Sequence, residues 1–124
     1  MNKIKGKYAE GFNTQMINLF KELTQMYPTN KDFKIIKNQM MILAQSPTYE
    51  LAIQTFESQI GLFRNHLRSR NDKFFLEFDL SNTPIAQLNY LKEIWKTVGE
   101  DTKNAMWRYF IILDKLAEKY HSLI

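Results

Sequence analysis

His66 and His121 are the side chains best suited to metal binding or proton transfer near neutral pH. Neither has a second ligand three or four residues away, so a metal site would have to be assembled across the fold. Each histidine stands near the end of an expected helix. A positive group there offsets the helix dipole, and that is the reading adopted for both. Glycine occurs only as Gly6, Gly11, Gly61 and Gly99, which leaves no loop able to cradle a phosphate. None of Ser46, Ser58, Ser69, Ser81 and Ser122 has the Gly-x-Ser-x-Gly context of a nucleophile elbow. The carboxylates are scattered: Glu100-Asp101 reads as helix-start charge, and Glu77 and Asp79 as a solvated edge. No catalytic residue, metal ligand or cofactor is expected, and a non-enzymatic role leads.

Basic residues offer one chemistry. Lys3, Lys5 and Lys7 precede the first expected helix, while Lys31, Lys34 and Lys37 lie along one broad side of the second. Arg64 and Arg68 share a face of the third, with Arg70 and Lys73 just beyond. Converged, these groups would neutralise several phosphates and bind nucleic acid without sequence preference. The opposing reading is an ordinary solvated surface, because Asp32, Glu57 and Asp72 are interspersed and Arg64 can reach Glu57 two turns back.

Aromatic residues offer another. Trp95, Trp107, Tyr90 and Tyr109 give the last two expected helices more aromatic surface than one helical seam needs. Trp, Tyr and Arg dominate binding hot spots, which suggests a protein partner or self-association through Tyr90 and Trp95. Trp107 falls in an apolar stretch and reads as core, whereas Trp95, beside Lys92 and Lys96, is expected near the rim. A small-ligand pocket between helices stays open, although six methionines more simply fill a core.

The elements that position these groups follow from periodicity and punctuation. Phe12, Met16, Leu19, Phe20, Leu23 and Met26 recur at helical spacing and predict a helix from about Ala9 to Met26, stopped by Tyr27-Pro28. Thr29–Asp32 is a cap for a second helix from Lys31 to Gln45, burying Phe33, Ile36, Met40, Leu43 and Ala44. Ser46-Pro47 starts a third, to about Ser69, with Tyr49, Ala52, Ile53, Phe56, Ile60, Phe63 and Leu67 on one stripe. Lys73–Leu80 alternates like a strand but has no partner, and is expected to be extended or a single turn whose aromatics plug the bundle. Thr83-Pro84 opens a fourth helix, to Val98, and Gly99 stops it. A fifth, capped by Asp101 or Thr102, runs to about His121. Its nearly all-apolar stretch Ala105–Leu113 makes it the central post. Arg108, the exception there, must escape to solvent or pair with Glu77, Asp79 or Glu93; an ion pair fastening Lys73–Leu80 is expected.

The whole reads as an all-α, antiparallel, bundle-like array of about five helices. Residues 1–8 form a basic N-terminal extension and residues 9–124 a single domain. The 124 residues suffice for one core, and 44% hydrophobic content argues against global disorder. No cysteine means no disulfide framework and no thiol chemistry. No apolar run approaches the ~20 residues that span a bilayer, so a soluble intracellular location is expected. A net charge of +4 permits acidic partners without demanding them.

Three segments carry a likeness to known proteins: Tyr27-Pro28, Asp72-Lys73-Phe74-Phe75-Leu76, and Leu91–Trp95 followed by Lys103–Tyr109. In these the chain resembles short, uncharacterised helical proteins of nucleocytoplasmic large DNA viruses. The resemblance implies a setting only: host-cell cytoplasm, virus factory or virion.

Overall fold

In a computed structural model that describes residues 3–83 and 85–123, the chain runs through seven α-helical segments. These are α1 (Lys3–Met26), α2 (Lys31–Gln45), α3 (Leu51–Ile60), α4 (Arg64–Arg68), α5 (Asp72–Glu77), α6 (Asn89–Ile94) and α7 (Glu100–Ser122). Three-residue 3-10 turns lie at Gly61–Phe63, Ala86–Leu88 and Trp95–Thr97. The fold is all-α and bundle-like. Its frame is α1 packed on α2 and α7, with α3 closing the other side of α7. One apolar cluster runs through every layer, from Phe12 and Phe20 of α1 to Phe110 and Leu113 of α7.

Most of the expected punctuation operates. α1 ends at Met26, one residue before Tyr27-Pro28, and Asn30 caps α2 by accepting the Asp32 N–H at 3.0 Å. Lys73–Leu80 forms a helix of under two turns followed by extended backbone. Of its aromatics, expected together to plug the bundle, Phe75 does so, with ring centres 4.8 Å from Trp95 and 5.2 Å from Phe110, whereas Phe74 and Phe78 also border a surface cleft.

Four expectations are corrected. The basic extension is helical from Lys3 onward, because its residues have something to pack on. Ala9 is buried, Lys5 Nζ stands 4.6 Å over the Tyr120 ring, and a Cβ on Gly6 would come within 2.9 Å of the Tyr49 hydroxyl. The third helix is broken. Ser46 Oγ accepts the Thr48 N–H and holds residues 47–50 as a turn, and a second break follows at Gly61–Phe63. The fourth is reduced to α6 between two 3-10 turns, and the Thr83-Pro84 start signal lies partly outside the described residues. Gly99 is not a left-handed stop. Its backbone is extended, and it precedes α7 directly with no side-chain cap, while the Thr102 hydroxyl pairs with Tyr27 at 2.8 Å.

Arg108 is likewise corrected. It is exposed and forms no ion pair among the described residues. The fastener of the Lys73–Leu80 segment is Asn89. Its side-chain oxygen accepts the Leu80 N–H at 3.1 Å while its amide donates to Asp79 at 3.1 Å.

Candidate functional site

Gly61 sits where a helix would otherwise continue, and a mid-helix glycine costs about 1 kcal/mol relative to alanine. The chain tightens there into a 3-10 turn. Three residues at about 120° rather than about 100° rotate the following side chains by about 60°. Phe63 therefore leaves the buried stripe on which its spacing puts it, and is 42% exposed; Leu62 is 86% exposed. Leu67 returns to the core and anchors α4.

Around Phe63 lies a surface cluster of rings. Its centre is 5.7 Å from that of Phe74 and 5.9 Å from that of Phe78, and those two are 5.3 Å apart. The His66 imidazole stacks on Phe74 at 5.4 Å, tilted by only 14°. These rings bound an open cleft of about 360 Å³ whose rim carries Lys73 and Glu77. Leu62 borders a second groove of about 610 Å³, lined by polar side chains including Gln54, Ser58 and His121. An exposed two-residue apolar turn thus separates an aromatic cleft from a groove of mixed character.

The same ten-residue stretch supplies Arg64 and Arg68, and the structure brings them together. They converge on a carboxylate rather than on a surface for phosphate. Arg64 Nε donates to one oxygen of Asp114 at 2.9 Å and Arg68 Nε to the other at 2.8 Å. Arg64 also reaches Glu57 at 2.6 Å, and Arg68 reaches Glu118 at 3.1 Å. Asp114 is fully buried on α7. Burial alone would weaken the Arg64 charge, but the bonds to Glu57 and Asp114 outweigh it and its pKa is raised. The hydrogen bond from Arg68, chiefly, pulls the Glu118 carboxyl below its ordinary range.

Arg70 is placed by the backbone. At φ 56 it takes the left-handed position that ends α4, with its N–H bonded to Leu67 and the Asn71 N–H to His66. Its guanidinium reaches Asn104 at 3.3 Å. Lys31 and Lys34 are exposed and Lys37 half-buried on α2, which packs on α1, whereas α4 packs on α7. The lysines and arginines belong to different seams.

Of the two aromatic residues expected at a binding surface, Trp95 is buried rather than at the rim and Tyr90 is half-buried. Trp95 is 2% exposed, with its ring 5.7 Å from that of Trp107. The lysines beside it mark the helix boundary, not an exposed indole. Its Nε1 is buried without a hydrogen-bond partner among the described residues. Tyr90 is half-buried and committed: its ring packs edge-on against Phe33 at 5.6 Å, and its hydroxyl bonds Asn30 at 3.0 Å and Asp32 at 3.2 Å. It clamps α6 to the capped start of α2. The surface aromatics that do exist, Phe63, Phe74 and Phe78, escaped notice because alternation and helical spacing both assign them to the core. Gly61 was the available signal.

No three His, Asp or Glu side chains among the described residues are placed to hold a metal ion. No helix among them is long and apolar enough to cross a membrane. No protein-family model matches the chain, and no characterised protein or solved structure is significantly similar to it.

Proposed function

We propose that this protein is a non-enzymatic interaction module. Its contact surface is the Leu62–Phe63 turn together with the flanking rings of Phe74 and Phe78. The observation that carries the proposal is the exposure of Leu62 and Phe63 beside a preformed cleft whose other rings, Phe74 and Phe78, are half-buried. Rigid aromatic groups at the centre of a polar rim are the composition of a binding hot spot. The partner is a protein presenting apolar side chains, and a second copy of the chain satisfies that description. The viral resemblance extends the proposal to a setting in host cytoplasm, virus factory or virion.

A photo-crosslinking residue at position 62 tests this, with the same group at Lys34 as control. Protein adducts are expected from position 62 only, persisting at 0.5 M salt and lost in a Phe63→Ser background. Equal adducts from both positions would remove the reading.

Nucleic-acid binding is the second reading, and the exposed Lys31 and Lys34 favour it. Two of its arginines, however, already spend their charge on Asp114, Glu57 and Glu118. Anisotropy of labelled DNA and RNA at about 50 and 200 mM salt separates the two, since phosphate contacts weaken steeply over that range.

A further inference from the structure

α5 turns a charged face to water. Lys73 and Glu77 are both exposed, one helical turn apart, and both stand on the rim of the aromatic cleft. Neither forms an ion pair among the described residues. Lysine ahead of glutamate is the poorer order for pairing within one helix, so both charges stay available. At about 100° per residue the two lie at the centre of the outward face, with Leu76 on one flank and Phe74 on the other. Phe75, on the opposite side, packs against Trp95 and Phe110 in the core. Leu76 is exposed, and the Phe74 flank continues through the rings of Phe78 and Phe63 to the exposed Leu62.

A face with one cation and one anion at its centre is its own complement under a twofold axis. Laid antiparallel on a second α5, Lys73 meets the partner's Glu77 and Glu77 meets the partner's Lys73. The same rotation brings Leu76 onto the partner's Leu76 and the Phe63–Phe74 edge onto its counterpart, apolar on apolar. Parallel pairing would set lysine beside lysine and glutamate beside glutamate, so charge selects the antiparallel form. A nucleic acid would meet Glu77, and a purely apolar partner would leave both charges unpaired. A second copy of the chain supplies both charges in the matching order.

We infer that this protein forms a twofold dimer in which α5 lies antiparallel on the partner's α5, held by reciprocal Lys73–Glu77 pairs between apolar flanks. The inference rests on the reading of the Leu62–Phe63 turn and its flanking rings as a contact surface, and it names the occupant.

Lys73→Glu and Glu77→Lys each leave a rim of one sign and test the arrangement. Each places its new charge where the α5 dipole favours it, so a loss of association is not a loss of the helix. Sedimentation equilibrium up to about 1 mM, where weak specific pairs assemble, should show a wild-type dimer. Either variant should raise its dissociation constant at least about tenfold, because like charges then face one another. An equimolar mixture of the two should regain wild-type affinity, since the negative rim of one meets the positive rim of the other. A monomer throughout that range, a dimer that neither variant weakens, or a mixture no tighter than its components would overturn the inference. With a monomer, crosslinks from position 62 to other proteins would leave the contact surface standing, whereas their absence would remove both readings.

Discussion

Residues 61–70 build two neighbouring regions of opposite character. On the side facing α7, Arg64 and Arg68 enclose the buried Asp114, and every charged group there has a partner. On the side facing α5, Phe63 leaves apolar surface in water beside a cleft, and the neighbouring Leu62 stands exposed over the groove next to it. The residues with functional chemistry are spent on structure, and the residues with structural chemistry are the ones left over. A buried carboxylate held by two guanidiniums fixes the docking of α4 on α7. That fixed docking presents the Leu62–Phe63 turn in one orientation, so the charged region serves the apolar one.

The contrast can be tested from both ends. The largest effect is expected at Trp95, which belongs wholly to the core: Trp95→Ala should cost about 3–5 kcal/mol in chemical denaturation. A loss under about 1 kcal/mol would return it to the surface. Asp114→Ala follows, at about 3 kcal/mol, because it leaves two inward-facing guanidiniums without their shared carboxylate. If that variant instead keeps its stability and gains affinity for DNA, the arginines are a masked phosphate site rather than a brace.

Acid should act on the charged region, and also at Asp79, whose carboxyl the Ser81 hydroxyl holds below its ordinary value. The Glu118 pKa lies below its ordinary value of 4.5 in the folded protein, so its contribution is full above that value and lost as pH falls through the depressed one. Urea melts between pH 7 and pH 2 should show this loss, and Arg68→Met should flatten it. A slope unchanged by Arg68→Met would place the acid sensitivity elsewhere. The smallest stability effect belongs to Leu62→Ser, within about 0.5 kcal/mol, since the side chain is almost wholly exposed. Unlabelled Leu62→Ser protein should nonetheless fail to form the self-association or partner contact by which unlabelled wild type suppresses the position-62 adducts, and that separation between stability and binding is what the apolar region predicts.

Tyr109 marks a third pattern, a polar ring used as a strut. Burial first, and then its hydrogen bond to Glu22, push its pKa up to about 12. It ties α7 to α1 and, like Tyr90, illustrates why exposed-looking tyrosines on helices were poor guides to a binding surface here. Hydroxyls at the edge of a core find internal acceptors.

Several features were readable from residue order alone. The helical class, the end of α1 before Tyr27-Pro28, the limits of α2 and a cap within Thr29–Asp32 follow from local rules. Apolar spacing, proline geometry and side-chain capping act within a few residues and need no knowledge of the rest of the chain. The pairing of Arg64 with Glu57 belongs here too, because seven residues of nearly helical chain bring the two onto one side.

Other features were set only by tertiary packing. Whether Trp95 faced water, which carboxylate met Arg64 and Arg68, and whether residues 3–8 formed helix all depended on segments tens of residues away. Asp114 is 50 positions from Arg64 and Asn89 is 10 from Asp79, and no local spacing selects such partners. The exposure of Phe63 lies between the two cases. The 3-10 turn at Gly61–Phe63 is local, but the docking of Leu67 and α4 on α7 decides which side chains it expels. Local sequence sets which conformations are cheap, and the single shared core chooses among them, since only one arrangement buries the apolar faces while pairing every charge that must go inside.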